Sequence, residues 1–162
     1  MQTSQPRAPF TIVVATDFSK PAQRAFDYAL WLAGRLHARL CILYVVMGAW
    51  PAGEHEPGSR ALRPVKTAAL LQLGRLAQRA FKLGIATDPR LDVGSPAERI
   101  LETCRKMRAD LLVVGTYGRG GVARVVLGSV AEELVRAAPC PVMTVNRTVA
   151  QRRAPGQYKG AL

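Results

Sequence analysis

The sequence predicts an α/β protein in which a five-stranded parallel sheet lies between two layers of helices. Short apolar runs alternate with longer segments of helical periodicity, in the order β-α-β-α-β-α-β-α-β. Hydrophobic residues make up 49% of the chain and aromatic residues only 6%, which predicts the aliphatic core of buried parallel strands. The length of 162 residues fits one such domain.

The first strand is predicted at residues 10–15, FTIVVA, a short apolar run bounded by polar residues. Ser19 is placed to cap the helix that follows, and Pro21 is tolerated in its first turn. Apolar residues then recur at helical spacing up to Leu36. Residues 39–46, RLCILYVV, predict the second strand.

The middle of the chain begins with a loop at 47–59 that is longer than most α/β connections. Helical spacing predicts a second helix over residues 62–83. The third strand, 85–93, contains Pro89, which lacks a backbone N–H and therefore predicts a position at the edge of the sheet.

The last two helices are predicted by Ser-x-x-Glu capping boxes. One begins at Ser95 and opens a helix to about Arg108, and the other begins at Ser129 and opens a helix to about Ala138. The fourth strand is predicted at 110–115, DLLVVG, and the fifth at 141–145, PVMTV.

Three segments divide the chain. We expect a flexible N-terminus at 1–9, the folded domain at 10–146, and a basic, disordered tail at 147–162. No apolar run reaches the roughly 18 residues of a membrane span, and no signal peptide precedes the first strand, so we expect a cytoplasmic protein with no membrane partner.

Three cysteines without CxxC spacing predict free thiols, buried at Cys41 and Cys104, which suits a reducing compartment.

The charge of +12 raises the hypothesis of a basic nucleic-acid-associated module. The cations are spread along the chain, mostly at solvent positions of the helical patterns, and no nucleic-acid motif is present. We therefore interpret them as solvated helix faces, whose positive field also attracts anionic ligands.

An open parallel sheet binds ligands at the carboxyl ends of its strands, where the strand order reverses. With the order 3-2-1-4-5, that point lies between strands one and four. The turn at 16–19 and the loop at 116–127 would then face each other, with Asp17 on one side and the glycine-rich loop on the other.

The loop from Gly115 to Ser129, GTYGRGGVARVVLGS, contains five glycines. Glycine lets backbone N–H groups approach a ligand, and the helix that begins after Gly128 favours an anion at its N-terminus. Arg119 and Arg124 add positive charge. The alternative is that these glycines only form a tight turn, but their number and position favour phosphate binding.

Two other phosphate motifs are disfavoured. Residues 118–123 match the dinucleotide pattern GxGxxA but follow the fourth strand instead of the first. The P-loop pattern GxxxxGK[ST] fails because Gly120 is followed by Gly121 and not by lysine.

The spacing G-x2-G-x9-G-[ST] is matched by Gly115, Gly118, Gly128 and Ser129. This motif and the sequence on both sides of it, from VVATDFSKPAQRAFDYA to APCPVMTV, resemble the ATP-binding branch of the universal stress protein family. The resemblance covers roughly residues 8–146. It implies a Rossmann-like fold of the adenine nucleotide alpha hydrolase type, a cytoplasmic role in stress response or signalling, and a homodimer that pairs the fifth strands, from Pro141 onwards.

The resemblance also implies a ligand, ATP, accompanied in some cases by Mg²⁺ or Mn²⁺. Asp17 would lie near adenine or ribose, the end of strand two would contact adenine through its backbone, and the loop glycines would border ribose and phosphates. The residues expected at the site are Ala15, Thr16, Asp17, Val45, Gly115, Thr116, Gly118, Arg119, Gly128, Ser129 and Val130.

Little in the sequence indicates catalysis. His37 is expected to be solvated, and Glu54, His55 and Glu56 are adjacent, so they do not easily converge on one metal ion. Asp17 could orient a water near a γ-phosphate, which leaves a slow ATP-hydrolysing enzyme as an alternative to a purely nucleotide-binding protein. No catalytic residue and no protein metal ligand is assigned.

Overall fold

The computed structural model describes residues 9–48, 63–116 and 127–146. The expectations for the N-terminus at 1–8, for 49–62, for Gly118, Arg119 and the rest of 117–126, and for the tail at 147–162 lie outside these residues. The elements, in chain order, are β1 (Thr11–Thr16), α1 (Lys20–Leu36), β2 (Arg39–Val46), α2 (Arg63–Phe81), β3 (Thr87–Val93), α3 (Pro96–Met107), β4 (Leu111–Gly115), α4 (Ser129–Ala137) and β5 (Val142–Val145).

The predicted α/β fold is confirmed. The five strands form one parallel sheet in the order β3-β2-β1-β4-β5, with bounds within two residues of those expected. β1 pairs with β2 as far as Thr16 opposite Tyr44, and β4 pairs with β5 as far as Gly115 opposite Val145. The strand order therefore reverses between β1 and β4, at the expected switch point.

Alternate residues of the strands supply two separate cores. Ile12 and Val14 of β1 face α1 and α2, where Phe26 and Leu73 are fully or almost fully buried. Val13, the residue between them, faces α3 and α4 on the other side. This alternation is the period of two that a strand covered on both faces requires.

Only one of the three predicted serine caps forms. The Ser19 hydroxyl accepts a hydrogen bond from the Ala22 N–H at 3.3 Å. Ser95 is the N-cap of α3, but its hydroxyl makes no capping bond. The prediction for Ser129 is wrong because α4 is capped by Gly128 in extended conformation, so Ser129 is already the first helical residue.

The edge position predicted for the third strand is confirmed. Among the described strands β3 pairs only with β2, and Pro89 lies opposite Ile42 in the middle of β3. Asp88 beside it forms ion pairs with Arg39 at 3.4 Å and with Arg90 at 2.8 Å. These three charged side chains are partly exposed, so their contribution is mainly to the polarity of this edge.

Gly74, in the middle of α2, is exposed and would have no atom within 4 Å of an added Cβ. We expect Gly74→Ala to raise the free energy of unfolding by about 0.5–1 kcal/mol, because alanine loses less backbone entropy in a helix. The change would be measured by urea unfolding followed by circular dichroism. Gly84→Ala is the control: its site is equally open but has φ +70°, so that variant should be less stable than wild type. Equal shifts in both variants would contradict the prediction.

Candidate functional site

Three segments of the predicted site lie at the carboxyl edge of the sheet. The turn at Asp17 follows β1, Gly115 ends β4, and Ser129 begins α4. β1 and β4 are neighbours in the sheet, so these segments lie at the switch point. Val45 lies near the end of β2, next to β1 on the other side.

Gly115 is in tight contact with the beginning of α1. A Cβ on Gly115 would lie 2.9 Å from the carbonyl carbon of Pro21 and 3.0 Å from the Ala22 nitrogen. These are backbone atoms of a helix and cannot move aside as a flexible side chain can. The absence of a side chain at Gly115 therefore lets the end of β4 pack against the first turn of α1.

One backbone hydrogen bond joins the two ends of the glycine-rich segment. The Gly128 N–H donates to the Thr116 carbonyl at 2.6 Å, and the Thr116 N–H donates to the Val145 carbonyl at 3.4 Å. The beginning of α4 is thus held next to the ends of β4 and β5. The interior of the segment, with Gly118 and Arg119, lies outside the described residues.

The N-terminus of α4 has the properties of an anion site. Its N-cap, Gly128, has no side chain, and no side-chain cap bonds its first turn in the part of the chain that the structure describes. Ser129 and Val130 are both exposed. The backbone N–H groups of the first turn and the positive end of the helix dipole are therefore available to a negatively charged group.

Thr116 carries a buried hydroxyl at the base of this arrangement. The residue is 5% exposed, and its Oγ1 has no hydrogen-bond partner among the described residues. Buried hydroxyls in proteins are nearly always paired. In the part of the chain that the structure describes, the Thr116 hydroxyl is therefore an unpaired hydrogen-bonding group, buried next to the backbone hydrogen bond between Thr116 and Gly128.

The turn after β1 is held by its own side chains. Asp17 Oδ1 accepts from the Ser19 N–H, and Thr16 Oγ1 accepts from the Phe18 N–H, both at 3.0 Å. Asp17 therefore stabilises its own turn through one of its carboxylate oxygens. Ala15, two residues before Asp17, is half-buried in β1.

Phe18 is a residue at this edge that the sequence reasoning missed. Its backbone has φ 62°, a left-handed conformation that is rare for a bulky side chain. Its ring stacks on Tyr44 with the centroids 4.6 Å apart and an angle of 29° between the planes. The aromatic pair therefore joins the β1 turn to the end of β2, beside Val45. An aromatic residue inside an otherwise polar turn, Thr-Asp-Phe-Ser, was the available signal.

The described residues offer little for catalysis. Burial raises the pKa of the Cys41 and Cys104 thiols from 9.0 to about 12, so both remain protonated and weakly nucleophilic at neutral pH. All three cysteines are unbridged, and the two predicted to be buried are buried. His37 is exposed at the C-cap of α1, as expected. Among the described residues no group of three metal-binding side chains occurs, and none of the described helices could cross a bilayer.

Comparison with known proteins gives one consistent family. The profile of the universal stress protein family matches residues 10–146. A universal stress protein of Methanocaldococcus jannaschii is 33% identical over 141 residues, which are 84% of this chain and 81% of the relative.

Two solved structures show the same likeness in three dimensions. A universal stress family protein of Burkholderia pseudomallei is 33% identical, with a TM-score of 0.67 over 87% of this chain and 98% of its own. A universal stress protein solved in complex with cAMP is 30% identical, with a TM-score of 0.67 over 85% of this chain and 97% of its own.

Proposed function

Because the chain belongs to the universal stress protein family, we propose that it binds an adenine nucleotide, ATP, at the carboxyl edge of the sheet between β1 and β4. The observation that carries the proposal is the start of α4, which lacks a side-chain cap and is tied to the end of β4 by the Thr116–Gly128 hydrogen bond. A helix N-terminus held at the switch point of a parallel sheet is suited to phosphate. The relative solved with cAMP supports the nucleotide class.

In this proposal the phosphates lie at the start of α4. The backbone N–H groups of Gly128, Ser129 and Val130 and the Ser129 hydroxyl donate to phosphate oxygens. Since Ser129 does not cap its own helix, its exposed hydroxyl can serve the ligand instead. Gly118 is the second glycine of the G-x2-G-x9-G-[ST] motif and would border the phosphates, and Arg119 next to it would add positive charge.

The base and the sugar lie towards β1 and β2. The backbones of Ala15, Thr16 and Val45 border adenine, and the Asp17 carboxylate accepts a hydrogen bond from the base or the ribose. The Phe18–Tyr44 pair fixes the turn that carries Asp17. Gly115 and Thr116 line the space between sugar and phosphates.

The described residues fit a nucleotide but supply no cluster that would hold a metal by itself. Mg²⁺ or Mn²⁺ would therefore be bound mainly through the phosphates. Such an ion neutralises phosphate charge and orients the phosphate chain when it is bound. We assign no hydrolytic base and propose binding, and not turnover, as the activity.

Calorimetric titration tests the proposal. We expect ATP with Mg²⁺ to bind wild type with micromolar affinity and Gly118→Val to lose binding, because a side chain would displace the ligand from the loop backbone. Cyclic AMP and AMP titrated in parallel establish which phosphates matter. Absence of binding by every adenine nucleotide, at concentrations up to millimolar, would refute the proposed function. Phosphate release above background, lost in Asp17→Ala, would instead favour the hydrolytic alternative.

We further propose that the protein acts in the stress response in the cytoplasm as a homodimer. β5 is an edge strand, and Val142, Met143 and Thr144 are half-buried in the single chain. Pairing of two β5 strands would satisfy their open backbone groups. The unbridged thiols support a reducing compartment.

A further inference from the structure

The outward side of α2 exposes large apolar side chains. Leu70 is 57% exposed, Leu71 is 65% exposed and Phe81 is 79% exposed. At 3.6 residues per turn, Leu70 and Phe81 lie about 20° apart around the helix and Leu71 within about 100° of both. They therefore form one apolar strip and are not scattered over the helix surface.

The same side of α2 is strongly basic. Arg63, Arg75 and Lys82 are exposed and lie on the arc of the apolar strip or at its margin. The chain contains no aspartate or glutamate between Glu56 and Asp88. In the described part of the chain none of these three cations takes part in an ion pair. We call these six residues the α2 outer face.

We propose that the α2 outer face binds the surface of an anionic lipid bilayer. Apolar side chains next to unpaired cations match the boundary between acyl chains and acidic headgroups. A bilayer needs no complementary shape, whereas a protein partner would need a groove that fits this strip. A nucleic acid would pair with the cations but would leave Leu70 and Leu71 without a favourable contact.

In the part of the chain that the structure describes, the position of the α2 outer face leaves it accessible. α2 packs on β2 and β3, at the opposite edge of the sheet from β5. Pairing through β5 would thus expose one such face at each end of a dimer. The sequence-based expectation of no membrane partner rests on the lack of apolar runs long enough to span a bilayer. A helix that lies on the bilayer surface does not need such a run. The inference goes beyond the proposed nucleotide function and does not depend on it.

Co-sedimentation with vesicles tests the inference. We expect the full chain to sediment with vesicles of phosphatidylcholine and phosphatidylglycerol at low salt, and to be released by high salt or by omission of phosphatidylglycerol. Leu71→Glu should weaken vesicle binding at least about tenfold, because it removes an inserted side chain and adds a charge that the headgroups repel. Arg75→Ala with Lys82→Ala should weaken it by about tenfold or more.

Matched controls on other helices separate this face from general effects of charge. Val135→Glu on α4 changes a residue that is 50% exposed, and Arg105→Ala with Lys106→Ala on α3 removes the same charge; neither should alter vesicle binding. No sedimentation of wild type, or an equal loss in the controls, would overturn the inference. So would binding to duplex DNA without vesicle binding, or self-association that Leu71→Glu abolishes without vesicle binding.

Discussion

Ser129→Asp is expected to weaken nucleotide binding strongly while leaving the protein at least as stable as wild type. The substitution places a negative charge at the first residue of α4, where it interacts favourably with the helix dipole and raises the free energy of unfolding by about 0.3–1 kcal/mol. The same charge repels phosphate at the proposed site. Two like charges about 4 Å apart near a protein surface repel by several kcal/mol, so affinity should fall at least about 100-fold.

Two measurements are needed for Ser129→Asp: calorimetric titration with ATP and thermal unfolding without ligand. Ser95→Asp is the matched control, because Ser95 is exposed at the N-terminus of α3 and makes no capping bond. That variant should gain stability and keep ATP affinity. If Ser129→Asp binds ATP as wild type does, phosphates do not lie at the start of α4 and the proposed site is wrong.

Gly115→Ala is expected to destabilise the fold by about 2–3 kcal/mol although it adds only one methyl group. That methyl would lie 2.9–3.0 Å from backbone atoms of Pro21 and Ala22, so β4 or the first turn of α1 must shift. Overpacking of this kind costs about 1–3 kcal/mol, and here the neighbours are backbone atoms. Urea unfolding followed by circular dichroism measures the loss.

The control for Gly115→Ala is Gly74→Ala, the same chemical change at a site with no atom in reach. The two variants should shift stability in opposite directions. A Gly115→Ala variant as stable as wild type would mean that the contact between β4 and α1 is loose. It would also remove one physical reason for glycine at the first position of the motif.

The element bounds could be predicted because they depend on patterns that extend over many residues. The apolar runs of β1, β2 and β4 and the helical spacing of α1 are strong local signals that agree with the global fold. The edge position of β3 followed from Pro89 alone. The alternation of strands and helices predicts one parallel sheet, whereas the order 3-2-1-4-5 follows from the usual arrangement of five-stranded doubly wound sheets and from no pattern in this chain.

The details of the site could not be predicted, because they depend on contacts between distant segments. Ser129-x-x-Glu132 is a capping pattern, yet α4 is capped by Gly128. The Gly128 N–H donates a hydrogen bond to the Thr116 carbonyl. The local sequence around Ser129 does not predict this hydrogen bond, because its acceptor lies at the end of another element, β4. The left-handed Phe18 and its stacking on Tyr44 likewise require β1 and β2 to be paired first.

The two edges of the sheet differ in a way that would limit the size of the assembly proposed above. A sheet with two receptive edges can add copies at both sides and grow into a filament. At the β3 edge, Pro89 has no N–H to offer another strand, and the Arg39–Asp88–Arg90 charges surround it. If two copies pair through β5, as proposed, the assembly would therefore stop at two copies even when the protein is abundant.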